Sequence, residues 1–189
     1  MKTGLVEVGY APITAQSATA TTYGTPTYFE AAEAGGREYK ITPSGNVKKI
    51  YANSIAVYEA EGNDGYDIEL TLIDIIDDIE TDWLGRTEYS NGMLEKSGDT
   101  EKPRFALILS DDATSGTGKT ETFYNCIVTE RPEINGKTKE NGEWEDQFPV
   151  YKIHASPRPK DGYVRFTTSG TAQLSAVPEP TPAQTPTTP

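Results

Sequence analysis

Residues 113–120, Ala-Thr-Ser-Gly-Thr-Gly-Lys-Thr, come within one position of the glycine-rich loop that cradles nucleotide phosphates, Ala113 standing where the first glycine belongs. Leu70-Thr71-Leu72-Ile73-Asp74 resembles the apolar strand ending in aspartate that supports the metal of such a site. The loop works only when its lysine and threonine open a helix whose amides face the phosphates. Thr120 leads instead into Glu-Thr-Phe-Tyr-Asn-Cys-Ile-Val, aromatic and β-branched, and then into Arg131-Pro132. That run is predicted as a strand, so the motif reads as a hairpin connection.

The remaining reactive side chains are equally sparse. His154 is the single histidine, alternates with Ile153 near a strand end, and has no acid or nucleophile beside it in sequence. It reads as a solvent-facing or interface residue. Cys126, the single cysteine, lies among Phe123, Tyr124, Ile127 and Val128, which makes it a small buried hydrophobe and rules out an internal disulfide. Asp111 and Asp112 are adjacent and point apart on an extended chain, or make Asx turns at a loop start. Asp74, Asp77, Asp78 and Asp82 form an acidic run read as a solvated helix face, because a carboxylate cage takes its ligands from several segments or one calcium loop. No catalytic group, cofactor or metal ligand is predicted. Trp144, amid Glu143, Glu145 and Asp146, is either an exposed anchor or a residue folded back on the sheet.

The elements that position these residues are most legible in residues 49–85, KIYANSIAVYEAEGNDGYDIELTLIDIIDDIETDWLG. Ile55, Val57, Leu70 and Leu72 alternate with polar residues on two strands, and Gly62-Asn63-Asp64-Gly65 reads as the turn that joins them. The hairpin has one apolar face, which Ile68 joins, and one polar face carrying Asp67 and Glu69. The period then changes. Leu72, Ile76, Ile79 and Trp83 fall at i, i+4, i+7 and i+11, one stripe of a short helix, with Asp74 as its expected N-cap and Gly85 as its stop. Strands follow at residues 104–109, 122–128, 147–154 and 164–169, separated by polar, glycine-bearing connections. Short strands at this spacing predict a sandwich or barrel, mainly β with one short α-helix.

The order Lys48-Lys49-Ile50-Tyr51-Ala52-Asn53, Glu61-Gly62-Asn63-Asp64-Gly65-Tyr66, Ile68-Glu69-Leu70-Thr71-Leu72, Asp77-Asp78 and Leu84-Gly85 resembles the major tail (tail tube) proteins of long-tailed phages of Gram-positive bacteria. Gly4-Leu5-Val6-Glu7-Val8-Gly9-Tyr10-Ala11-Pro12 is similar to that family's opening strand, and Pro103-Arg104-Phe105-Ala106-Leu107-Ile108-Leu109 to its later core strand, so the resemblance covers residues 1–168. It departs at Ile75-Ile76, where relatives often carry a proline. The resemblance implies a β-sandwich or barrel-like tail-tube fold with an extended N-terminal arm and loops. It also implies self-assembly into stacked, usually hexameric rings around a tape-measure protein, beside other tail components. Such a tube conducts the genome during ejection, and its subunits belong to the virion tail and are assembled in the host cytoplasm.

Within that frame the polar face acquires a purpose: Asp67 and Glu69 are the candidates for a lumen that repels phosphate. Residues 17–27, rich in Thr and Ala and short of bulk, cannot make a core alone. With the expected loop 42–48 they are assigned to neighbouring subunits, through Ser17, Thr22, Tyr23, Thr42, Ser44 and Asn46, and are expected to order only on assembly.

Composition bounds the alternatives. At 189 residues the chain is long enough for one core, placed at residues 1–176, and residues 177–189, Val-Pro-Glu-Pro-Thr-Pro and further Pro and Thr, are expected to be a disordered tail. Residues 135–146, rich in Gly, Lys and Glu, are expected to be a mobile loop. The formal net charge of −12 argues against a nucleic-acid-binding surface, and no apolar span of membrane length or secretory segment appears, so neither membrane insertion nor export is expected. The alternative from a different class is a monomeric β-sandwich adhesion or ligand-binding module. Titration calorimetry with ATP and Mg²⁺ is expected to give no binding heat, since the phosphate-loop lookalike has no helix to open.

Overall fold

A computed structural model describes residues 2–32, 34–45, 47–52, 55–97, 102–113, 116–134 and 147–181. Its strands are β1 (Lys2–Gln16), β2 (Thr21–Tyr23), β3 (Thr27–Tyr28), β4 (Gly36–Ser44), β5 (Val47–Ala52), β6 (Ile55–Glu61), β7 (Gly65–Leu72), β8 (Thr87–Tyr89), β9 (Gly92–Leu94), β10 (Phe105–Ala113), β11 (Lys119–Glu130), β12 (Val150–Ala155) and β13 (Arg165–Ser169). One helix, α1 (Asp77–Asp82), lies between β7 and β8. The protein is mainly β with a single short helix among the described residues, and the strands predicted after residue 104 all form.

The main sheet is antiparallel and runs β2-β1-β10-β11-β12-β7-β4, with β3 beside β1 and β13 beside β11. Period-2 alternation sends one set of side chains inward, and the register aligns these sets row by row. Val8 faces Leu109, Tyr10 faces Leu107, Leu107 faces Phe123, Tyr151 faces Leu70 and Ile153 faces Ile68. All of them are buried. The sheet curls until its last strand meets its first: a Cβ on Gly36 of β4 would lie 2.3 Å from Val8 Cγ2 and 2.7 Å from Leu5 Cδ2 of β1. Among the described residues β4 pairs only with β7, so this seam is packed without a hydrogen-bonded ladder.

The helix closes this curled sheet. Ile79 and Trp83 are fully buried, Ile76 packs against the core, and Leu72 completes the expected stripe. Trp83 stacks on Phe105 with ring centroids 4.5 Å apart and meets Tyr10, Tyr151 and Phe29 edge-on at 5.6, 5.5 and 5.8 Å. Tyr10 Oη donates to Asp82 Oδ2 at 2.7 Å, tying β1 to the helix. Asp77, Asp78 and Glu80 occupy the first turn, where the helix dipole favours carboxylates, and Gly85 ends the segment with φ +69°.

Two expectations need correction. Asp74 is not the N-cap: that position is Ile76, extended at φ −109° and ψ 156°, while Asp74 Oδ1 accepts the neighbouring Ile75 N–H at 2.8 Å. Nor do residues 62–65 form the hairpin turn. β6 pairs with β5, the last pair being Ala52 with Ile55, and β7 pairs with β4. Residues 36–52 and 55–72 thus make one long hairpin whose two paired stretches follow each other, with Asp64 N–H donating to Ser44 O at 3.0 Å between them. Alternation told correctly which way Ile68, Leu70 and Leu72 face, but any antiparallel neighbour satisfies it. Gly65 serves close approach instead: at φ +112°, a Cβ there would lie 1.8 Å from Ala155 O, just as one on Gly45 would lie 1.8 Å from Gly62 O.

Trp83→Ala is expected to cost about 3–5 kcal/mol in urea unfolding, because the cavity would open at the meeting point of three strands and the helix.

Candidate functional site

Strands β4, β7, β12 and β11 lie side by side and present an outward polar face. Asp67 and Glu69 both stand on it and are exposed, as expected. Their surroundings were not foreseen. Register sets Lys152 on one side of Glu69 and Lys40 on the other, and it sets His154 and Thr42 on either side of Asp67. Asp67 Oδ1 lies 2.7 Å from His154 Nδ1, so the histidine does have an acid partner, 87 residues away in sequence. Lys152 Nζ donates to Glu130 Oε2 of β11 at 2.8 Å. Glu130 first, and Glu69 after it, raise the Lys152 ammonium above its ordinary range. The face is mixed in charge, with the two acids set among cations.

The six residues assigned to subunit contacts fall in different settings. Ser17 begins a tight turn, its N–H donating to Ala20 O at 2.8 Å and its Oγ accepting the Ala20 N–H at 3.1 Å. β2 then pairs back on β1, Ala15 opposite Thr22 and Ile13 opposite Tyr23. Residues 17–23 are therefore organised within the chain itself, with Ser17 and Thr22 exposed. Tyr23 is half-buried, its hydroxyl donates to Tyr124 O at 3.0 Å, and the two rings lie 6.5 Å apart. Thr42 is exposed and Ser44 half-buried on β4, so this part of the expected loop is strand. Asn46 lies outside the described residues, as do residues 135–146 with Trp144.

Reasoning from sequence missed Arg158, whose side chain has no exposed surface. Its Nε and Nη2 donate to Asp161 at 2.8 and 2.7 Å, its Nη1 and Nη2 to Glu179 at 2.8 and 2.7 Å, and its guanidinium sits 4.3 Å from the centre of the Tyr124 ring. Burial opposes the charge, and the hydrogen bonds that Arg158 donates to Glu179 and Asp161 outweigh it, keeping Arg158 protonated above its usual range. The same contacts hold the Asp161 and Glu179 carboxyls below theirs. The available signal was Pro157-Arg158-Pro159-Lys160-Asp161-Gly162, an arginine between two rigid prolines followed by an Asp-Gly turn. Gly162 turns at φ +75° and its N–H returns to Arg158 O at 2.9 Å.

Arg158 fastens a strap. After β13 the chain runs back along the outer side of the sheet, touching Gly118 at Thr171, Glu7 at Gln173, Tyr28 at Leu174, Tyr124 at Pro178 and Arg158 at Glu179. Gly9, Ala11, Ala106, Ile108 and Thr122 are on that outer side and are nonetheless buried. Tyr28 covers Gly9 so closely that a Cβ there would lie 2.6 Å from the ring. The expected tail boundary at Val177 therefore shifts: Pro178 and Glu179 are held, and residues 182–189 lie outside the described range.

The remaining reactive groups are absorbed by the fold. Lys119 opens β11 opposite Asp111, and Thr120 is buried with its Oγ1 against Ser110 Oγ at 2.9 Å and Gly170 O at 2.8 Å. The phosphate-loop lookalike leads into a strand, as predicted. Neither aspartate makes the expected Asx turn, since both lie within β10: Asp111 is buried and accepts the Tyr39 hydroxyl, whereas Asp112 is exposed and its Oδ1 accepts the neighbouring Ala113 N–H at 2.7 Å. Cys126 is fully buried, and burial pushes its thiol up to about 12. No helix among the described residues is long and apolar enough to cross a membrane. No protein-family model matches the chain, and no curated protein matches it.

Arg158→Ala is expected to cost about 2–3 kcal/mol, the range for charge-assisted hydrogen bonds, and to strip hydrogen-exchange protection from Leu174 while β12 keeps its own. Because the folded carboxyl values are lowered, the strap's contribution is complete above pH 4.5, the ordinary glutamate value, and is lost as the pH falls through the depressed values. Acid titration of unfolding stability, compared with Glu179→Gln, reads that loss.

Proposed function

We propose that this chain is the subunit of a phage tail tube, a structural virion protein without chemistry of its own. Copies associate into stacked, hexameric rings in the host cytoplasm. They enclose a tape-measure protein, join other tail components, and leave a bore through which DNA passes on ejection. The observation that carries this reading is the long hairpin. Beyond Ser44 and Gly65 its two arms continue as β5 and β6, which among the described residues pair with each other and with no other strand.

A two-stranded ribbon is marginal by itself in water, and its backbone edges are open to pairing. Closed cyclic association gives such a ribbon neighbours on both sides. The remainder of the subunit suits that arrangement, since the curled sheet has its own core. The outward face of β4, β7, β12 and β11 is the candidate bore lining, with Asp67 and Glu69 on it. Its interleaved charges hold water and offer DNA no run of cations to bind.

Purified protein, concentrated stepwise and followed by sedimentation and negative-stain imaging, is expected to yield rings or hollow tubes. A monodisperse monomer at every concentration is the outcome predicted by the adhesion-module alternative, and it would overturn the assembly reading.

A further inference from the structure

The outward face holds an ordered row of charges. Register places Lys40 of β4 opposite Glu69 of β7, Glu69 opposite Lys152 of β12, and Lys152 opposite Glu130 of β11. The row reads cation, anion, cation, anion across four strands, a span of about 15 Å at the ordinary strand spacing. All four residues are exposed. In a chain with 29 acidic and 17 basic residues, strict alternation is not what composition alone supplies.

The two ends of the row are unlike, and both lie at margins of the face. Lys40 stands on β4, which among the described residues pairs only with β7 and meets β1 at the Gly36 seam without a hydrogen-bonded ladder. Glu130 stands past the point where β10 accompanies β11, since that pairing begins at Phe105 with Cys126. There the outer carbonyl of Val128 receives Lys102 Nζ at 2.9 Å in place of a strand amide. Within the row, Glu69 and Lys152 each have an opposite charge on both sides, whereas Lys40 and Glu130 have one each.

We infer that this row sets the polarity of the contact between copies: the Lys40 margin of one chain lies against the Glu130 margin of the next. Each end charge then gains its second opposite neighbour, and the alternation runs on through the junction. Joining two Lys40 margins or two Glu130 margins would set like charges together, which disfavours a two-fold dimer through these edges. A head-to-tail contact remains, the type that generates rings or open filaments. Exposed charges of this kind select orientation and register more than they supply affinity. The inference rests on self-association, and it goes beyond the tube reading by naming the margins and their direction.

Charge exchange tests it. Lys40→Glu and Glu130→Lys alone are each expected to raise the concentration needed for assembly about tenfold, because each creates a like-charge junction. An equimolar mixture of the two single variants should assemble at the wild-type concentration, since every junction then pairs opposite charges, and so should the double variant. Rescue by mixing cannot come from misfolded protein. Rings or tubes that tolerate both single changes, or singles that mixing fails to rescue, would overturn the inference and leave the tube reading standing. Wild-type protein forming open filaments that respond to the exchanges would sustain the inference and remove the closed ring. A wild-type chain that stays monomeric overturns both.

Discussion

The indole of Trp83 is the contact on which the architecture depends. It comes from a helix of six residues, too short to hold itself together, and it gathers β1, β10 and β12 through Tyr10, Phe105 and Tyr151. Aromatic rings bury more area per residue than any other side chain and favour these stacked and edge-on arrangements. The helix exists because its stripe is taken up by the sheet, and the curled sheet is closed because the helix fills it. Some polar capacity is given up in return. Trp83 Nε1 and Tyr151 Oη are buried without a hydrogen-bond partner among the described residues, a lack that costs about 1–3 kcal/mol for each such group. An assembly of rings this dense tolerates that loss.

The opposite side of the sheet is built by another rule. Gly9, Ala11 and Ala106 keep the outer side of β1 and β10 low, so a strap with little secondary structure can lie flat on it. Hydroxyls from Tyr28 and Tyr124 and the buried Arg158 guanidinium hold the strap where apolar interlocking is slight. β10 is thereby buried on both faces although it belongs to an antiparallel sheet with solvent beyond it. Its near-continuous apolar run, Phe105 to Leu109, already carried that information.

Local signals were legible in proportion to how local their causes are. The stripe through Trp83, the alternation of β7 and the strand after Thr120 each depend on residues within a turn or two, and each was read correctly. Partner choice was not. Whether β7 lies beside β6 or β4 depends on contacts that alternation leaves undetermined, and Gly65 carried a turn signature while serving close packing. The Asp67–His154 pair and the Arg158 clasp to Glu179 join segments that only the folded chain brings together. Proline content suggested a free tail from Val177, because composition records a lack of apolar side chains and is silent about a single buried guanidinium waiting for a carboxylate.

The 15-residue first strand has a consequence in time. Its principal partner, β10, is synthesised roughly a hundred residues later, so at translation rates of about 5–20 residues per second the nascent β1 waits on the order of 5–20 s for its ladder. The long hairpin of residues 36–72 meets no such delay, since its reversal is local and it can zip as it emerges. During the wait β1 is an unpaired edge in a crowded cell. Gly4, Gly9 and Pro12 interrupt its strand propensity and Glu7 charges its outer side, features that discourage other chains from pairing with it first. The same residues that let Tyr28 and the strap lie close also protect the chain before they arrive.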